Sequence, residues 1–153
     1  MKPGSTVAIV GVGLIGGSAG MAVRKRLAGV QVVGIGRNRN RLNKAIKLGA
    51  VDQVTTSWEQ GVADADLVIV CTPVGQIVRH VRQLAGFCKP GAIITDAGST
   101  KQTIVRGLAK GLPEGIAFVG SHPMTCSDKS GVGFAEANLY EDRTVVITPI
   151  AST

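Results

Sequence analysis

Short apolar runs alternate with amphipathic stretches along most of this chain. Val7–Val10, Val30–Ile35, Leu67–Cys71, Ala92–Thr95, Ile116–Val119 and Thr144–Thr148 are rich in apolar and β-branched residues, with few charges inside them. That is the pattern of strands buried on both faces. Leu14–Leu27 places Leu14, Met21 and Leu27 at roughly helical spacing, and Gly75–Gly86 does the same with Ile77, Val78, Val81 and Leu84. Arg39–Leu48 predicts a short polar helix stopped by Gly49, and Thr100–Ala109 predicts another helix. Val54 marks a brief third strand. Strands alternating with helices imply a parallel sheet covered on both faces. Right-handed crossovers leave few topologies, so the predicted fold class is α/β, a doubly wound, mostly parallel, Rossmann-like dinucleotide-binding domain. Residues 1–153 read as one such domain, without repeat, linker or low-complexity segment. The last strand runs almost to Ile150–Thr153, and the pattern leads us to expect further chain beyond it.

Composition narrows the class. The chain is 44% hydrophobic and 18% charged, which is globular rather than disordered. Aromatics make up only 3%, so Val, Ile, Leu and Ala must build the core. The longest apolar runs are too short to cross a membrane, and MKPGSTVAIVG offers no signal-peptide hydrophobic region. Three cysteines without a CxxC pair argue against a disulfide framework or a metal site. A reducing cytoplasm is the expected compartment. The net charge of +7 suits nucleic acid or anionic small molecules. With almost no aromatics to stack on bases, and no nucleic-acid motif, the small molecule is favoured.

Gly11-Val12-Gly13-Leu14-Ile15-Gly16 stands where a strand hands over to a helix. In this setting the first glycine permits the tight turn, the second lets the backbone approach a pyrophosphate, and the third lets helix and strand pack closely. Amides at the helix start, Leu14 and Ile15 among them, then face the phosphates. Ser18 is either a small packing residue or a pyrophosphate neighbour. The second strand selects the cofactor. An NAD site carries an acid there for the ribose hydroxyls. Here Ile35 is followed by Gly36, Arg37, Asn38 and Arg39, and no acid is present. Arg37 suits a 2′-phosphate, so NADP is favoured over NAD.

Three polar segments also follow predicted strands: Thr72-Pro73-Val74, Asp96-Ala97-Gly98-Ser99-Thr100-Lys101 and Gly120-Ser121-His122-Pro123-Met124. Ligands of open α/β sheets sit at the carboxyl ends of strands, so these post-strand turns should meet the glycine loop. Thr72 and Pro73 join the cofactor list. His122 is the candidate catalytic base, because a neutral imidazole accepts a hydroxyl proton. Ser99 orients the substrate hydroxyl or the histidine, and can at the same time serve as the N-cap of the Thr100–Ala109 helix. Asp96 holds the loop or caps that helix. Lys101 reads as a solvated first-turn cation, and His80 as a structural residue within its helix.

Taken together, GVGLIGGS (11–18), DAGSTK (96–101), GSHPMTCSDKSGV (120–132) and LYEDRTVVITP (139–149) resemble the prephenate/arogenate dehydrogenase family. The third block sets this family apart from generic dinucleotide folds. The resemblance covers the family's N-terminal nucleotide domain. Family members continue into a helical C-terminal domain, absent from these residues, which dimerises and completes the substrate pocket. This stretch alone is therefore expected to be a monomer. The resemblance implies NADP-dependent oxidative decarboxylation of arogenate or prephenate in tyrosine biosynthesis. His122 then draws the proton from the C4 hydroxyl, and Ser99 bonds that hydroxyl beside the nicotinamide. Ser121 and Ser127 join Ser99 and His122 as substrate neighbours. Thr125, Cys126 and Asp128 replace the Ala, Gly and Glu more usual in the motif, which bears on loop shape and substrate choice. No activating partner marks Cys126 as a reactive thiol. The acid-free second strand resembles NADP-using members, often arogenate-specific, which favours arogenate. Two other readings fit the glycine loop. One is a β-hydroxyacid dehydrogenase or imine reductase, and the other is a nucleotide-binding module without chemistry.

Overall fold

Seven strands form a single sheet in the computed structural model, which describes residues 1–125 and 128–150. The strands are β1 (Thr6–Val10), β2 (Gln31–Ile35), β3 (Gln53–Thr55), β4 (Leu67–Val70), β5 (Ile93–Asp96), β6 (Ala117–Pro123) and β7 (Val145–Pro149). Their order is β3-β2-β1-β4-β5-β6-β7, with every pair parallel except β6 and β7. The chain winds outward from β1 to β3 and then returns to place β4 on the other side of β1. The crevice at that reversal is where doubly wound sheets bind ligands. The helices are α1 (Leu14–Arg26), α2 (Arg39–Lys47), α3 (Trp58–Val62), α4 (Ile77–Ala85) and α5 (Gln102–Leu108).

The apolar runs become strands because alternate side chains feed two cores. In β1, Val7 and Ile9 join Val32, Ala45, Ala50 and Val51 beneath α1 and α2. Ala8 and Val10 point the other way, toward Val68, Ile77, Val81, Leu84 and Ile94 beneath α3 and α4. A run buried on both faces therefore needs no polar alternation. None of the described helices is long and apolar enough to cross a membrane.

Three elements differ from the sequence expectation. α3 is a five-residue helix that the hydrophobic period did not mark; Ser57 starts it by accepting from the Gln60 amide at 3.3 Å. β6 does not stop at Val119. Its parallel pairing with β5 ends there, but antiparallel pairing with β7 carries it through Ser121, His122 and Pro123. Gly120–Pro123 is thus strand rather than turn. The helix after β5 begins at Gln102 with Lys101 at its N-cap, so Ser99 lies ahead of the helix and does not cap it.

At the opposite, amino-terminal end of the strands, Asp66 fastens the start of β4. Its carboxylate accepts from the Thr6 amide at 2.8 Å and pairs with Lys89 at 2.7 Å. The Lys89 hydrogen bond, followed by that of Thr6, holds the Asp66 carboxyl below its ordinary value of 3.8. A folded-state value below the unfolded one contributes stability above the ordinary carboxylate value, and this is lost as pH falls through the folded value. Asp66→Asn is expected to lower stability near neutral pH and to flatten its fall below about pH 4. Urea unfolding across an acid pH series measures this; a fall as steep as in the wild type would refute the role of Asp66.

Candidate functional site

Gly11 ends β1 in a left-handed conformation, φ +93°, which suits a residue without a side chain. A Cβ there would lie 2.9 Å from the Cys71 carbonyl oxygen, so the turn can pass the end of β4 only as glycine. A Cβ on Gly16 would meet the Gly11 carbonyl at 2.5 Å and Ile9 at 2.8 Å, which explains the close seat of α1 on β1. Gly13 faces open space and starts α1 with no capping side chain. The first-turn amides of α1 are therefore presented to the crevice with the positive end of the helix dipole. Gly17 and Ser18 face away from it. A Cβ on Gly17 would press on Ala135 at 2.9 Å and Val132 at 3.0 Å, and Ser18 Oγ accepts from the Glu136 amide at 2.9 Å. Of its two expected roles, Ser18 takes the packing one.

The polar segments meet this loop. Gly13, Leu14, Ile15, Gly16, Thr72, Pro73, Ser99 and His122 share one open cleft of about 570 Å³. The cleft is closed further by Cys71, Gly98, Thr125 and Lys129–Gly131. Another hollow, of about 550 Å³, lies at the far end of α1 beside Arg24 and Asp52 and holds none of the expected site residues. Gly36, Arg37 and Asn38 follow β2, beyond the lining of the main cleft. The Asn38 side chain caps α2 by accepting from the Arg41 amide at 3.0 Å. Ser121 is turned into the scaffold, and Ser127 and Cys126 lie outside the described residues.

The scaffold is centred on Asp96, whose side chain is fully buried at the end of β5. One carboxylate oxygen accepts from the Gly98 amide at 2.8 Å and from Lys101; the other accepts from the Ser121 amide at 3.2 Å. Ser121 Oγ donates to the Asp96 carbonyl oxygen at 2.5 Å. Lys101 is thus the buried partner of Asp96 rather than a solvated cation, with only 13% of its side chain exposed. These bonds clamp the loop bearing Ser99 to the strand bearing His122. Burial, with the Asp96 charge beside it, pushes the Cys71 thiol up to about 12, so Cys71 is an inert wall of the cleft.

Lys129, Ser130, Gly131 and Thr125 were not marked as site residues by the sequence, although they lie within the 120–132 block. Their place depends on a return of the chain across α1. Tyr140 Oη donates to the Ile15 carbonyl at 2.6 Å, and Arg26 pairs with Glu141. Burial pushes the Tyr140 phenol up, which keeps it a donor.

The chain matches the family described as prephenate dehydrogenase, nucleotide-binding domain, over residues 19–153. It is 39% identical over 145 residues to the prephenate dehydrogenase of Bacillus subtilis (strain 168), covering 94% of this chain and 39% of that one. Among solved structures, it is similar to the prephenate dehydrogenase of Aquifex aeolicus in complex with hydroxyphenyl propionate and NAD+. There the TM-score is 0.88 and the identity 34%, over 97% of this chain and 52% of that one. Synechocystis arogenate dehydrogenase gives a TM-score of 0.86 at 29% identity, over 97% and 51%. The chain therefore spans about two-fifths of the Bacillus relative and about half of each solved chain.

Removing one partner of the Asp96–Lys101 pair leaves the other charge buried. Asp96→Asn is expected to cost about 3–5 kcal/mol of stability. Adding Lys101→Met should recover part of that loss. Urea midpoints of both single variants and the double variant test this; a double-variant loss equal to the sum of the two single losses would show that the pair is not coupled.

Proposed function

The chain belongs to the prephenate dehydrogenase family as its nucleotide-binding domain, and from that premise we propose that it supplies the cofactor half of an NADP-dependent dehydrogenase acting on arogenate or prephenate. The observation that carries this reading is the meeting of the glycine loop, Ser99 and His122 in one cleft. The residues present fit a dinucleotide. An uncapped helix start suits the pyrophosphate, and the open side of Gly13 leaves room for it.

Held by the glycine loop, NADP would supply the acceptor for the hydride at C4 of the cyclohexadienol ring. His122 takes the proton from the C4 hydroxyl as its oxygen becomes a carbonyl. Ser99 would hold that hydroxyl beside His122. The ring carboxylate then leaves as carbon dioxide, its bonding electrons enter the ring, and the carbonyl oxygen is reprotonated to a phenol. Aromatisation supplies the driving force, so the protein chiefly has to orient C4 and accept one proton. The Asp96 clamp serves this by fixing the separation of Ser99 and His122.

NADP is preferred to NAD on charge. The six residues after Ile35 are Gly36, Arg37, Asn38, Arg39, Asn40 and Arg41, with no carboxylate to receive ribose hydroxyls or repel a 2′-phosphate. Arginine meets a phosphate through a planar fork. An NADP-using enzyme of this type fits arogenate better than prephenate, and its product fits tyrosine biosynthesis in the cytoplasm. The assembled protein is proposed to be a homodimer.

In the full-length protein, His122→Asn is expected to lower kcat about a hundred- to ten-thousand-fold with arogenate or prephenate, leaving NADP affinity within about twofold. Steady-state kinetics with calorimetric titration check this; unchanged turnover would remove His122 from the chemistry. Side-by-side titration with NADP and NAD should show tighter NADP binding in the wild type. Tighter NAD binding would overturn the cofactor assignment.

A further inference from the structure

His80 lies within α4, buried, with an imidazole edge against Trp58 at 4.9 Å between ring centroids. Its two nitrogens are both engaged. Nδ1 lies 2.9 Å from Thr72 Oγ1, and Nε2 lies 3.3 Å from Arg79 Nη2. A guanidinium can only donate, so Nε2 accepts and the ring is neutral. Nδ1–H then donates to Thr72, whose own hydroxyl proton is left for the cleft that Thr72 lines. Burial lowers the His80 pKa, and the charges of Arg79 and then Arg37 lower it further. Arg79, on α4, thus meets the ring directly, while Arg37 follows Gly36, whose amide donates to the Thr55 carbonyl at 3.3 Å just ahead of α3 and Trp58. Both arginines are exposed, and neither makes an ion pair among the described residues. Trp58, on α3, and Thr72, at the end of β4, add no charge.

The Arg79 guanidinium on a neutral imidazole, with the Arg37 charge also reaching that ring, leaves a positive field that an anion relieves. We infer that Arg79, held in place by neutral His80, is the second arm of a two-arginine clamp with Arg37 for the 2′-phosphate of the cofactor. This rests on the NADP reading above and adds α4 to a specificity otherwise placed at the end of β2. His80 is a positioning residue. It offers an acceptor that keeps Arg79 beside the crevice, and through Thr72 it ties that arm to the cofactor cleft.

The test is calorimetric titration of the full-length protein with NADP and with NAD. Arg79→Ala is expected to weaken NADP binding about tenfold while NAD binding stays within twofold, which also shows that the variant folds. His80→Phe keeps the ring against Trp58 but removes the acceptor, and should weaken NADP three- to fivefold with NAD unchanged. His80→Gln restores an acceptor and should return NADP binding to within twofold of the wild type. An NADP-over-NAD preference that survives Arg79→Ala overturns this inference and leaves the cofactor reading standing. Equal loss of both cofactors in either His80 variant shows a merely structural role and also overturns it. A wild type that prefers NAD overturns both.

Discussion

A buried carboxylate at the end of β5 constrains the rest of this site. A charge there is tolerable only if every lone pair facing the interior finds a donor. Asp96 meets that requirement by taking donors from three places in the chain: the next turn at Gly98, the start of α5 at Lys101 and the adjacent strand at Ser121. Those three places carry, or flank, Ser99 and His122. The placing of Ser99 and His122 is thus a by-product of electrostatic satisfaction. The residues that face the cleft are held by a network that lies behind it.

The glycine loop is under two demands. At its front, Gly11 and Gly16 let the strand turn and the helix settle so that backbone amides face the crevice. Behind it, the absence of a side chain at Gly17 and the hydroxyl of Ser18 receive the chain as it returns over α1 through Val132, Ala135 and Glu136. Tyr140 then bonds the carbonyl of Ile15, a residue of the loop itself. The returning segment also brings Lys129–Gly131 to the cleft. Helix α1 is therefore gripped by the returning segment, linking the 120–132 block to the glycine loop through contacts distant in sequence.

Much of the frame was legible because it rests on local pattern. Val7–Val10 and Leu67–Cys71 are apolar on every residue, and only strands covered on both faces tolerate that. The step from Ile35 into Gly36 and Arg37, without an acid, was equally readable, since charge at one position needs no knowledge of the fold. α3 escaped because five residues carry too little period to register. Ser18 had two reasonable roles and Lys101 read as solvated, and sequence alone had no way to find the buried partner of either.

What the sequence determined by itself was the alternation of the strands with every helix but α3, the glycine turn and the sign of the charge beyond β2. Each of these follows from residues that are neighbours along the chain, where hydrophobic period, glycine geometry and charge act at short range. Only the tertiary structure decided that His122 stands on a strand and not in a turn, because β6 is prolonged by pairing with β7, some twenty-five residues later. It alone decided that Lys101 closes on Asp96, that Ser99 stands free of the helix it was expected to cap, and that His80 meets Thr72 and Trp58. Those choices arise from burial and pairing between segments far apart in sequence, and they exist only once the sheet has brought the segments together.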